Sequence, residues 1–170
     1  MNCWGRTAIM CSIACGVATS FAFAQTKPAI DVCGIVTPAK AKAVLGEVAS
    51  QPPAKTDHAG FGVDACMYTT PVHGAGANVS FLRLLVQAGT GKEGPDMLQT
   101  EADMRKATLP LSGVGEAAKR SQAGTFIWAK QGSAACTAEI ANGLPKGVTA
   151  DAAATALGSL CRDVLTASRK

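Results

Sequence analysis

The chain has 170 residues, 48% of them apolar but only 5% aromatic, and a formal net charge of +4. That length suits one ordinary domain with a single core rather than a string of modules. So slight a positive excess, with no Lys/Arg cluster, excludes the electrostatic footprint of a nucleic-acid or anionic-membrane binder.

Residues 1–24 predict a cleaved secretory signal peptide. A lone charge at Arg6 precedes an apolar run from Ala8 to Phe23, which closes on the small-x-small pattern Ala22-Phe23-Ala24 before Gln25. An uncleaved anchor fits less well, because the run carries Ser12, Thr19 and Ser20 and falls short of the roughly 20 mostly apolar residues of a spanning helix. A lipid anchor on Cys11 or Cys15 is disfavoured by Ser12-Ile13-Ala14, which lacks the usual leucine. Cleavage after Ala24 leaves one exported domain over residues 25–170, 146 residues long (170 − 24), with no integral membrane span. Losing Arg6 leaves 15 basic residues (16 − 1) against 12 acidic ones, a net of +3.

The elements then follow in order. Thr37 as a cap, Pro38 at the first helical position and Gly46 as a left-handed stop predict a helix over residues 38–45. Residues 51–62, with Pro52, Pro53, Gly60 and Gly62, read as a loop. A short strand over 66–70 ends at Pro71, and a Gly-rich turn over 73–76 leads into a second strand over 78–87. There Leu82, Leu84 and Val86 share one face while Val79, Phe81 and Leu85 share the other, which predicts a central strand covered on both sides. The triplet Asn78-Val79-Ser80 fits the glycosylation sequon but falls within that strand.

Pro95 starts a helix that runs to about Ala107, and Pro110 with Ser112-Gly113 interrupts the chain again. Three strands over 116–121, 125–130 and 133–141 are separated by short Gly-bearing gaps that favour antiparallel hairpins. Thr149 caps a last helix with Leu157, Leu160, Cys161, Val164 and Leu165 at helical spacing. The order α-β-β-α-β-β-β-α predicts the α+β class: a mainly antiparallel sheet of about five strands with helices packed on it.

Seven cysteines stand in the chain, and loss of the leader removes Cys3, Cys11 and Cys15. The remaining Cys33, Cys66, Cys136 and Cys161 form an even set in an exported chain, with no C-x-x-C spacing, so two disulfides are expected rather than metal ligands. Cys136 shares a strand face with Ala134, Ala138 and Ile140, and Cys161 sits in the apolar stripe of the last helix. Cys33 precedes the first helix and Cys66 opens the first strand beside Tyr68. This placement favours Cys33–Cys66 and Cys136–Cys161 among the three possible connectivities.

The run Asp31-Val32-Cys33-Gly34-Ile35-Val36-Thr37-Pro38 leads into a helix ending Leu45-Gly46. Later come Cys66-Met67-Tyr68 and Gly113-Val114-Gly115-Glu116-Ala117-Ala118 before paired strands. Together these resemble small exported domains of unknown function, best known as actinobacterial lipoproteins. The resemblance covers roughly residues 30–166 and implies a compact α+β domain outside the cytoplasm, of the PsbP/Mog1-like fold. It implies no catalytic residues. The chain departs from the pattern in lacking a lipid-attachment site and in carrying Met67-Tyr68 where a tryptophan often follows the cysteine.

Chemistry-bearing residues are sparse. Asp57-His58, Asp64 and His73 flank the first predicted strand, and His58, Asp64 and His73 are candidate zinc or copper ligands. The histidines are 15 residues apart, without the short spacing of a metal motif, so solvated loop residues are the plainer reading. Ser80 and Ser112 stand in no nucleophile elbow or Ser-x-x-Lys motif. Gly89-Thr90-Gly91-Lys92 fails as a phosphate loop, because Val86 and Glu93 occupy the places of its first glycine and its Ser/Thr. No cofactor is implied. Phe126 and Trp128 share a strand face with Lys130 and serve either as core or as a stacking platform for a ligand. The leading expectation is a non-catalytic exported domain, periplasmic or extracellular, that binds a partner protein or small-molecule ligand in the cell envelope. The rivals are a periplasmic metal-binding protein and an envelope hydrolase with an unrecognised site.

Overall fold

The computed structural model describes residues 30–48, 54–58, 61–73 and 80–169. The leader over 1–24 lies outside the described residues, as do Asn78 and Val79 of the sequon. The elements are α1 (Val32–Ile35), α2 (Pro38–Leu45), β1 (Ala54–His58), β2 (Val63–Thr69), β3 (Arg83–Gly89) and α3 (Glu93–Met104). After these come β4 (Leu109–Pro110), β5 (Ala117–Arg120), β6 (Phe126–Gln131), β7 (Ala134–Ala141) and α4 (Ala150–Ala167). Capping chemistry sets the longest-predicted boundaries: the Thr37 hydroxyl accepts from the Lys40 amide and the Thr149 hydroxyl from the Ala152 amide.

All strands join one sheet in the order β1-β2-β3-β7-β6-β5-β4. Each neighbouring pair is antiparallel. Two meanders make this order, and the second folds back so that its last strand, β7, pairs with β3 along the full length of that strand. The α+β class therefore holds, with seven strands in place of about five. The two additions are edges. Four-residue α1 is also new, its first turn capped by Asp31, whose side chain accepts from the Gly34 amide. Polar β1 lies inside the stretch read as a loop: it has no apolar alternation of its own and is a strand because β2 supplies its ladder. Edge strand β4 is two residues long and contains Pro110, which limits further pairing. The strand read over 78–87 begins only at Arg83.

Both faces of the sheet are covered. Leu84 and Val86 of β3, Ile127 and Ala129 of β6, and Cys136, Ala138 and Ile140 of β7 face α4, which buries Leu157, Leu160, Val164 and Leu165 against them. Each leucine, isoleucine or valine removed from water there contributes about 1.5–3 kcal/mol. On the same side α1 and α2 pack at the β2 end, where the Tyr68 hydroxyl donates to the Val36 carbonyl and Lys40 pairs with Asp163 of α4 at 2.6 Å. The opposite face carries a smaller core of Val63, Leu98, Ala102, Ala107, Phe126, Trp128 and Ala135 beneath α3 alone. Phe126 and Trp128 are thus core residues rather than an exposed platform.

Disulfides fasten only the first of these faces. Cys33 of α1 is bonded to Cys66 of β2, and Cys136 of β7 to Cys161 of α4. No cysteine stands in α3. Close backbone approach fixes the β5–β6 turn against α4: Gly124 has φ +70°, and a Cβ there would overlap the Ala150 carbonyl.

Candidate functional site

The three residues considered for a metal are not brought together. Backbone pairing sets His58 opposite Val63 and Asp57 opposite Asp64, at one end of the β1–β2 ladder. His73 lies beyond the other end of β2, where it bridges Ser80 and its Nε2 sits 2.7 Å from a Glu47 carboxylate oxygen. The Asp64 carboxylate accepts from the Val32 amide at 3.1 Å and the Ala65 amide at 2.9 Å, a structural role that ties α1 to β2. Among the described residues no group of three or more His, Cys, Asp or Glu is disposed to hold a metal ion.

Chemistry concentrates instead under α3. This helix presents Leu98 and Ala102 to the sheet, and the next positions on that side, Glu101 and Arg105, stand one helical turn apart. Its end is set by backbone hydrogen bonds. The Lys106 amide donates to the Asp103 carbonyl at 3.1 Å and the Ala107 amide to the Ala102 carbonyl at 3.0 Å. That pair of bonds is a Schellman turn, and the left-handed residue it needs is Lys106, with φ 54° where glycine is usual. The helix closes at Met104 rather than Ala107 for this reason.

The turn places Arg105 over β7. Its Nη2 donates to Glu139 Oε2 at 3.0 Å; the Glu139 side chain is 11% exposed and that of Arg105 46%. A carboxylate carried this far from water is held at tolerable cost only by such a charged partner. Two residues along β7, Thr137 Oγ1 donates to Gln87 Oε1 of β3 at 3.0 Å. Glu101 completes the group. Burial pushes its carboxyl above the usual value, Arg105 opposes the rise and the Glu139 charge adds to it.

Beside this cluster opens a cleft of about 690 Å³. Arg105, Lys106, Ser121, Thr125, Phe126 and Glu139 contribute to its walls, and among the described residues neither histidine nor cysteine lines it. The Ser121 hydroxyl accepts from the Phe126 amide at 3.2 Å and braces the turn between β5 and β6. A shallower groove of about 480 Å³ runs along residues 108–119, under the β4–β5 connection. The cleft offers a guanidinium, an ammonium and two carboxylates, those of Asp103 and the nearly buried Glu139, around a part-apolar floor, which suits recognition of a polar ligand by charge and shape.

Reading the sequence residue by residue passes over Glu101, Arg105, Thr137, Glu139 and Gln87. Signals exist: Glu139 is the one charged residue in the strand Ala134–Ala141, and Glu101 and Arg105 are spaced to share a helix face. Compared with known proteins, the chain matches no family model, no curated protein and no solved structure. No helix among the described residues is long and apolar enough to cross a membrane.

Proposed function

We propose that the chain is a non-catalytic exported domain that binds a ligand or partner of the cell envelope, with the cleft at the end of α3 as its seat. One observation carries this reading: Glu139 is the one residue with an ionisable side chain in a strand covered on both faces, and it stands at the edge of an open cleft. Desolvating the Glu139 carboxylate has a cost that its one ion pair, with Arg105 half in water, offsets only in part, so stability alone gives little reason for a carboxylate there. Two disulfides accord with an oxidising compartment.

The test immobilises residues 25–170 and passes envelope extract and small-molecule fractions over the wild type and an Arg105→Ala variant. The expected result is a ligand retained by the wild type and released by the variant. Equal retention by both would move the site elsewhere, and retention by neither would sink the binding reading.

A further inference from the structure

Both carboxylates of the cleft are engaged, and the groups with capacity to spare are donors. Glu139 accepts from Arg105 Nη2 at 3.0 Å and Asp103 from the Gln99 side-chain amide at 3.0 Å. Arg105 uses only that one nitrogen, and among the described residues its Nε and Nη1 have no acceptor. Lys106, also in the wall, makes no side-chain bond among the described residues. Ser121 is only 9% exposed; its hydroxyl accepts from the Phe126 amide at 3.2 Å, and its own proton has no acceptor among the described residues.

The sheet sets these groups in one row. Phe126 stands opposite Glu139, and the Ser121 amide donates to the Phe126 carbonyl at 2.9 Å. On the other side of Glu139, Leu85 of β3 is its direct partner and Arg83 is one pair further along, opposite Ala141. Strand faces alternate, so Arg83 shares the face of Glu139 as its diagonal neighbour, at a spacing of about 7–8 Å that a long side chain spans. Arg83 is half-buried, its Nε is fully buried without a hydrogen-bond partner, and its guanidinium pairs with no acid among the described residues. A buried donor left without an acceptor is costly, and one shut off from water finds its acceptor within the protein. Glu139 is the carboxylate in reach.

We infer that the cleft binds an oxyanion group of its ligand, carboxylate or phosphate, on Arg105, Lys106 and Ser121, and that Arg83 takes over Glu139 when Arg105 turns to that group. This deepens the reading proposed above and rests on it for the natural ligand. Guanidinium, ammonium and hydroxyl are the donors from which such a group accepts. A nearly buried carboxylate stripped of its cation is strongly unfavourable, so a ligand that draws Arg105 away from Glu139 is resisted unless a second cation stands by. Arg83 is that cation, and the exchange also satisfies its Nε. Arg83 is therefore a positioning residue that never touches the ligand. Glu101, one helical turn before Arg105, forms no ion pair among the described residues and acts as a competitor for Arg105.

Nuclear magnetic resonance of the oxidised protein, titrated with inorganic phosphate and separately with acetate at constant pH and ionic strength, tests this. The expected result is saturable shifts of the Lys106 and Ser121 amides with at least one anion, which names the head group. The Arg83 Nε–Hε resonance should move in step, although Arg83 lies outside the cleft. Arg105→Ala should abolish saturation. Arg83→Gln should weaken it several-fold, and Arg83→Lys, which keeps a cation beside Glu139, should restore most of it. No saturation with either anion, equal saturation in Arg83→Gln, or a stationary Arg83 Nε–Hε resonance would overturn the inference; the last needs no variant. An envelope ligand without an acid group would overturn this inference and leave the binding reading standing. Anion saturation with Arg83 coupling, but no ligand retained from the envelope, would do the reverse.

Discussion

Replacing Cys136 and Cys161 together by alanine is expected to lower the unfolding free energy by about 4–5 kcal/mol. The two cysteines are 25 residues apart, and cross-linking a loop of that size removes unfolded-state entropy equivalent to about 3.5 kcal/mol. Both are fully buried between β7 and α4, so deleting their sulfurs adds on the order of 1 kcal/mol in lost packing. With a urea slope of about 2 kcal/mol/M the unfolding midpoint should fall by about 2 M, in a domain whose whole stability is of the order of 5–15 kcal/mol. Urea titration followed by far-ultraviolet circular dichroism reads this. Cys33 and Cys66 are 33 residues apart, for which the same reasoning gives about 3.7 kcal/mol, so alanine at both should cost nearly as much. A loss below about 1 kcal/mol for either pair would refute the entropic reasoning. It would mean that packing alone holds the helices to the sheet.

Further outcomes concern α3 and the turn that meets α4. Burial raises the folded-state pKa of Glu101, so its favourable contribution is complete below the unfolded value and is lost as pH rises through the folded one. Glu101→Gln should therefore raise the thermal midpoint at neutral pH and converge with the wild type in acid; parallel curves would contradict this. Lys106→Gly relieves a left-handed φ and should add about 0.5–1 kcal/mol of stability in urea titration, with a loss counting against the Schellman turn. Gly124→Ala combines positive φ with overlap on the Ala150 carbonyl and should cost about 2 kcal/mol or more by thermal unfolding. A change under about 0.5 kcal/mol would show that the approach is slack.

Those features legible in the sequence are the ones decided locally. Thr37, Pro38 and Gly46 carry their own helix boundaries, and Thr149 carries that of α4, because capping needs only residues within one turn. Leu84 and Val86 on one face of β3 could be assigned to a covered strand because strand faces alternate strictly. What escaped depends on partners far along the chain. Polar β1 is a strand only beside β2. The stop at Lys106 is local but carries no signal, because a lysine stands where glycine is usual. The Glu101–Arg105–Glu139 group joins residues up to 38 positions apart (139 − 101), and no local pattern specifies how α3 lies across β3, β7 and β6.

Covalent fastening on a single side of the sheet has a practical corollary. Trp128, the sole indole after residue 24, is packed under the unfastened helix with Leu98 and Ala102. Its emission colour therefore reports wetting of that half of the interior. Detachment of α3 should shift the spectrum to the red while the oxidised half stays folded, giving an optical handle that separates the two halves without any added label.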